Sequence, residues 1–345
     1  MLSCVIHRAH DLRVEEREIP QPKTGEVLVQ LGAGGICGSD LHYYHDGGVG
    51  DFRLREPLVL GHEVAGEVVA VGPAVTSLTA GDRVAVNPAR YCGVCEQCRS
   101  GRPNLCSEVR FFGSAARFPH VPGGFAEFFC AAETQCVRLT TDIAFPLIAC
   151  AEPLAVALHA VNQAGKLMGR RVLITGAGPI GLLVAIVARY AGALEVVITD
   201  RVQPPLDLAL QIGADRALNV AETESALAQV SEKIGGFDVA LEASGASAAL
   251  LNCFESTRPA GRIVQVGMLS KAVLPLGRLI SHEIELVGTF RFHEEFGRAV
   301  ELLERGRVRV ESLISDRIPL KRANEGFEMA SDRRRSIKVS LIGKE

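Results

Sequence analysis

Arg171-Val172-Leu173-Ile174-Thr175-Gly176-Ala177-Gly178-Pro179-Ile180-Gly181 decides the fold of the second half of this chain. Arg171 to Thr175 is a short apolar run, rich in branched residues, and reads as a buried strand. Gly176 to Gly181 then spells G-x-G-x-x-G, and Leu182 to Tyr190 is apolar enough to continue as a helix. A bare match to this pattern says little. A strand before it and a helix after it are the setting that gives it meaning. The glycines permit a tight turn, let the backbone approach a pyrophosphate and let helix pack on strand. The helix N-terminus then receives the phosphate charge. Gly176, Gly178, Pro179, Ile180 and Gly181 are therefore candidate dinucleotide contacts.

Downstream, the alternation of strand and helix continues. Glu195 to Thr199 reads as a second strand, and it ends in Asp200. An acid there accepts hydrogen bonds from the adenosine ribose and repels a 2′-phosphate, which favours NAD. Arg201 beside it could receive that phosphate, so both NAD and NADP stay open. Phe237–Glu242 and Gly261–Val266 read as further strands, with a helix from Ala246 to Thr257 between them. The pattern predicts a doubly wound parallel sheet over residues 151–285.

Upstream, the texture changes. The first thirty residues alternate apolar and polar positions, as in Glu26-Val27-Leu28-Val29-Gln30-Leu31, and predict short antiparallel strands. Val64–Val71 and Gly81–Val86 read as two strands of a small barrel, joined by a polar turn through Thr76 and Thr79. A helix from Glu294 to Arg305 and a last strand Ile337–Ile342 return the chain to this part. Residues 1–150 and 286–345 thus make a β-rich domain, and two domains is the natural expectation for 345 residues.

Two groups of residues in that domain carry metal chemistry. Cys92, Cys95, Cys98 and Cys106 form a C-x2-C-x2-C-x7-C loop. Four thiolates at this spacing can close a tetrahedron around zinc and leave no open position, which is a structural site. An iron–sulfur cluster is the alternative on donor type alone. The second group is Cys37, His62 and Glu63, with Glu152 far ahead. Thiolate, imidazole and carboxylate are ligands of catalytic zinc, where three protein ligands leave one position for a substrate oxygen. The remaining cysteines read as buried thiols.

Through Gly35-Ile36-Cys37-Gly38-Ser39-Asp40, Leu60-Gly61-His62-Glu63 and Ala151-Glu152-Pro153-Leu154, the chain resembles the zinc-dependent medium-chain alcohol and polyol dehydrogenases over nearly its whole length. That resemblance implies a GroES-like catalytic domain beside a Rossmann domain, two zinc ions per subunit, and hydride exchange with NAD(P). It implies that Cys37 and His62 bind the catalytic zinc. In the polyol branch the glutamate at 63 can bind directly while that at 152 reaches the metal through water, and both stay in the candidate set, unranked. It implies that Ser39 contacts the alcohol and passes its proton towards His42, where the plain alternative is that Ser39 caps a helix beginning near Asp40. It places Tyr43 on the substrate pocket. Val266-Gly267-Met268 and Thr289-Phe290-Arg291 match segments that contact the nicotinamide half. Arg291 also matches a polyol-hydroxyl contact, and Phe292 stands where the sorbitol branch has a Tyr. Arg110–Ser114 and Phe118–Phe125 resemble the aldonate-oxidising branch more than the sorbitol branch. A carboxylate substrate wants a cation or several donors, and Arg110, Arg117 and His120 are the candidates. The resemblance also implies a homodimer or homotetramer built on sheet edges of the cofactor domain.

Composition agrees by exclusion. A formal net charge of −3 lacks the basic excess of a nucleic-acid binder. No apolar run reads as membrane-spanning, Met1 is not followed by a signal-like core, and the expected location is the cytoplasm. The cationic run Arg333-Arg334-Arg335 is predicted to be a solvated face, three charges being too few for an anion site.

Overall fold

The computed structural model describes residues 1–223 and 225–343. The chain divides into two compact units. The first comprises Met1–Glu152, Phe296–Asp332 and the chain from Ser336 onward; the second comprises Pro153–Glu295 with Arg333–Arg335.

The first unit is built on β1 (Glu26–Gly35), which pairs antiparallel with β2 (Glu63–Val71) on one side and with the C-terminal strand Lys338–Ile342 on the other. Arg83–Val86 extends the sheet beyond β2, and Ile314–Pro319 extends it beyond the C-terminal strand. Alternation along β1 sends Val27, Val29 and Leu31 inward, where they meet Val64, Val68, Phe125, Phe129 and Leu341 in one apolar core. Leu2–Arg8 and Asp11–Glu16 pair antiparallel at the start of the chain, as the alternation predicts. Immediately after β1 the chain enters helix α1 (Gly38–Asp46). Its N-cap is Cys37, not Ser39: the Asp40 carboxylate accepts the Cys37 backbone N–H at 3.0 Å, which closes the first turn.

The second unit holds six parallel strands: β3 (Arg171–Thr175), β4 (Glu195–Asp200), β5 (Arg216–Asn219), β6 (Phe237–Glu242), β7 (Thr257–Gln265) and β8 (Glu285–Gly288). Their order across the sheet is β5-β4-β3-β6-β7-β8. Helix α2 (Pro179–Tyr190) follows β3, and the inner strands β3, β4 and β6 are largely apolar and buried because helices cover both faces. The strand order reverses between β3 and β6. In sheets of this kind the ligand crevice lies at the carboxyl ends of the strands flanking that reversal.

The helical stretch Phe145–Ala164 is long and apolar enough to cross a membrane, against the sequence expectation. Its window is 67% buried within the protein, which is how a core helix looks.

Candidate active site

In the first unit, sheet register brings the donors together. Gly35 on β1 stands opposite Glu63 at the start of β2. A Cβ on Gly35 would sit 2.1 Å from Glu63 Oε2, so only glycine leaves room for the carboxylate. Gly61 has φ of +96°, and a Cβ there would meet the Phe125 ring at 2.2 Å. These two absences of a side chain set Cys37, His62 and Glu63 against one another, with their donor atoms all within 4.8 Å. One tetrahedral ion with ligand distances of about 2.0–2.3 Å spans such a set. Glu152 is buried but lies outside it.

The surroundings favour a cation. Asp40 is fully buried; its Oδ1 lies 3.6 Å from His62 Nδ1 and also accepts the Gly61 N–H at 3.3 Å. A carboxylate on one imidazole nitrogen orients the other towards a metal. Burial works against a charged His62, but Asp40 and the Cys37 thiolate outweigh it and raise its pKa well above the ordinary value. A pocket that would otherwise hold an imidazolium is one with excess negative charge, and a divalent ion answers it. Lys338, also buried, stands 2.6 Å from the Glu63 carboxylate, donating to Oε1 and to the Ile36 carbonyl at 3.1 Å. The same ammonium stands 2.6 Å from Glu63 Oε2, an ion-pair contact that forms no hydrogen bond among the described residues. A buried carboxylate oxygen that takes no hydrogen bond, beside a thiol and an imidazole, fits a metal ligand.

Asp40 and Lys338 were absent from the sequence reading. A buried acid three residues beyond Cys37 is a signal that could have found Asp40. Lys338 shows only as a lysine heading an otherwise buried strand.

The other predicted residues of this unit separate. Ser39 Oγ lies 3.5 Å from His62 Nε2, beside the donor set. His42 is exposed and its Nδ1 meets Asp46 at 3.0 Å. Tyr43 is buried in the core, its hydroxyl accepting the Ala115 N–H at 2.9 Å, so the phenol oxygen is committed to the fold. Strand alternation sends Phe111 to His62, with ring centroids 5.5 Å apart, and turns Arg110 outward to line a separate cavity of about 670 Å³. His120 has no nitrogen to spare: Nε2 accepts the Arg55 N–H at 2.9 Å, and Nδ1 meets the Arg117 carbonyl at 2.8 Å. Arg117 is tied to the carbonyls of Ser107 and Val109. The three cations expected to meet a substrate carboxylate are thus turned away or used by the backbone.

The cysteine loop closes as its spacing predicts. The sulfurs of Cys92, Cys95, Cys98 and Cys106 all lie within 4.8 Å of one another. Backbone N–H groups point at them, including Cys95 N to Cys92 Sγ at 3.3 Å and Glu108 N to Cys106 Sγ at 3.3 Å. The Cys98 N–H leads in holding the Cys95 thiol down to about 6, while desolvation, and then Cys95 itself, push Cys98 up to about 12. Four sulfurs this close cannot all ionise without a cation among them.

In the second unit, the Gly-rich turn has the required shape. Gly176 has φ of +97°, and a Cβ there would strike Ser244 at 2.8 Å. A Cβ on Gly181 would meet the Gly176 carbonyl oxygen at 1.8 Å, so helix packs on strand only through glycine. Gly178, the N-cap of α2, faces open space. Val266 and Gly267 donate their N–H groups to the Glu242 carbonyl at 2.8 Å, which sets the Val266–Met268 turn beside the same strand ends. Glu242, absent from the sequence reading, is fully buried and accepts from Ser244, Gly245 and Gln265, latching two of these loops. Thr289 Oγ1 is buried without a hydrogen-bond partner among the described residues. Arg291 has φ of +53° and stacks its guanidinium 4.9 Å over the Phe290 ring. Phe292 is fully buried and offers no surface to a ligand in this structure. Asp200 ends β4 as predicted, but its partner is a surprise. Arg333 Nη2 donates to Asp200 Oδ2 at 2.6 Å, so the cationic run is not merely a solvated face.

Comparison with known proteins accords with this architecture. Residues 23–141 match the alcohol dehydrogenase GroES-like domain family, and residues 179–305 match the zinc-binding dehydrogenase family. The L-idonate 5-dehydrogenase (NAD(P)(+)) of Escherichia coli (strain K12) is 42% identical, covering 99% of this chain and 98% of that protein. The crystal structure of L-idonate 5-dehydrogenase from that species superposes with a TM-score of 0.94 at 41% identity, covering 99% of this chain and 97% of the other. The sorbitol dehydrogenase of Gallus gallus is 36% identical over 99% of this chain and 96% of its own. A Sinorhizobium meliloti 1021 structure with NADP bound has a TM-score of 0.88 at 31% identity, covering 99% and 98%.

Proposed function

Because this chain belongs to the zinc-binding alcohol dehydrogenase family, and so is an NAD(P)-linked dehydrogenase of polyhydroxy compounds, we propose that it interconverts L-idonate and 5-keto-D-gluconate. The observation that supports this substrate is the 42% identity to an L-idonate 5-dehydrogenase, sustained over 99% of the chain. When bound, zinc supplies a Lewis acid and the nicotinamide exchanges the hydride.

The residues then divide the work. Cys37, His62 and Glu63 hold the catalytic metal, with Asp40 fixing the His62 ring and Lys338 sharing the Glu63 charge. Glu152, outside that set, acts from further off, through water. The Ser39 hydroxyl, beside His62, takes the substrate proton and His42 delivers it to solvent. Cys92, Cys95, Cys98 and Cys106 hold a structural zinc. The Gly176–Gly181 turn, Asp200 and Arg201 carry the adenosine half of the cofactor, and Val266–Met268 with Thr289–Arg291 carry the nicotinamide half.

A second reading, a sorbitol- or xylitol-type dehydrogenase, is favoured by one observation: Arg110 turns outward to a separate cavity, and Arg117 and His120 are tied to backbone groups. Steady-state reduction of 5-keto-D-gluconate against fructose decides. We expect kcat/KM to favour the keto acid at least tenfold, about 1.4 kcal/mol of discrimination. A preference for fructose moves the protein to the polyol branch.

We also propose a homo-oligomer in a reducing cytoplasm. Strand β8 is a sheet edge with exposed Val273, Leu276 and Ile280 just before it. All ten cysteines are free thiols.

A further inference from the structure

The acid that favours NAD is already saturated. A carboxylate offers about four lone-pair positions. Asp200 Oδ1 accepts the N–H groups of Arg201 and Val202 at 2.7 and 3.1 Å. Its Oδ2 accepts the Ala177 N–H at 2.7 Å and the Arg333 guanidinium at 2.6 Å. Three of these donors are backbone groups fixed by β4, its following turn and the Gly-rich turn. They cannot withdraw without unmaking the turns that shape the site. Only Arg333 can leave. Its side chain is 49% exposed, whereas that of Asp200 is 4% exposed. A ribose that bonds to Asp200 through its hydroxyls therefore has to displace Arg333.

Once displaced, the guanidinium is free to turn to the ribose 2′ position beside Asp200. A 2′-phosphate carries about two negative charges and three strong acceptor oxygens, which a planar guanidinium matches. Arg201 sits next to Asp200, exposed, and its side chain enters no ion pair among the described residues. An acid that would repel the phosphate thus comes with a mobile cation that cancels its charge. We propose that Arg333 is the residue that reads the 2′-phosphate: it pairs with Asp200 when the cofactor site is empty and with the phosphate when NADP is bound. Arg333 thereby lets an Asp200-type site accept both cofactors. The inference rests on the cofactor site described above and not on the identity of the substrate.

Binding of adenosine fragments tests this without catalysis. Titrate the full chain with 2′,5′-ADP and with 5′-ADP by calorimetry, in wild type, R333A, R333K and R335A, each checked for an unchanged thermal midpoint. Loss of one charge-assisted contact to phosphate should weaken 2′,5′-ADP by about 10- to 100-fold in R333A. Binding of 5′-ADP should stay within about threefold or tighten, since an Asp200 oxygen is released. R333K should recover part of the loss, and R335A should alter neither ligand. An unchanged ratio of the two affinities in R333A overturns the proposal, and so does an equal loss of both. If wild type binds neither fragment, the placement of the cofactor site itself is wrong, and the proposal falls with it.

Discussion

The two donor sets of the first unit are built in opposite ways. The cysteine loop closes within Cys92–Cys106, and its spacing alone announces a tetrahedron. Cys37, His62 and Glu63 are drawn together by register, and their supporting cation, Lys338, comes from 275 residues beyond Glu63. The first set is complete in itself and leaves no position open. The second depends on a sheet, on two glycines whose replacement would crowd the carboxylate and Phe125, and on an acid, Asp40, that holds the imidazole and the backbone at Cys37 and Gly61. A local set suits a staple, and a dispersed set suits chemistry, because its neighbours can tune each ligand separately.

Removing one donor from each set gives the sharpest contrast. In H62A we expect kcat/KM to fall by about a thousandfold or more, roughly 4 kcal/mol of transition-state stabilisation, while the loop keeps its metal. Metal analysis alongside kinetics checks this; activity within tenfold of wild type would erase the distinction between the sets. C98S should behave in reverse. The chain should lose a metal equivalent and melt about 5–10 °C lower, with kcat at 25 °C changed by no more than about threefold. If C98S is as inactive as H62A, the loop is no mere staple.

A third cluster carries the comparison to a case without metal. In the second unit Glu295 accepts from Asn162 at 2.8 Å and lies 3.0 Å from His159 Nδ1, again at long range. Desolvation opposes its charge, but His159, the His293 N–H and Asn162 outweigh that and lower its pKa to about 2. A depressed carboxylate pKa stabilises the folded state above the ordinary value of 4.5, and that contribution drains away as pH falls towards 2. E295Q should therefore cost about 2 kcal/mol at pH 7 and lack this part of the acid dependence. Urea midpoints of both proteins at pH 7, 4.5 and 3.5 measure it, and curves that stay parallel would mean that the cluster does not hold the charge.

What the sequence made legible follows the same division. The Gly-rich turn, the cysteine loop and the Gly-His-Glu stretch are contiguous, so residue type and spacing carry them. Strand alternation located β1 and β2 but could not order them, and so could not put Lys338 beside Glu63. His120 and Arg117 looked like free cations because nothing in a side chain's identity says which backbone groups will claim it. Arg333 looked solvated because its partner, Asp200, lies 133 residues earlier. Asp40 was nearer, and a fully buried acid in a first helical turn is a signal to use.

Pairing of β1 with the C-terminal strand has a consequence for how the protein is made. The first strand of the central sheet emerges from the ribosome about three hundred residues ahead of its neighbour, with the whole second unit synthesised between them. The second unit's parallel sheet draws on strands between residues 171 and 288 only, so it can form while the chain is still being extended. The first unit has to wait with Cys37, His62 and Glu63 already translated. Emergence of the strand Lys338–Ile342 is then the event that seals the sheet and delivers the ammonium group to Glu63.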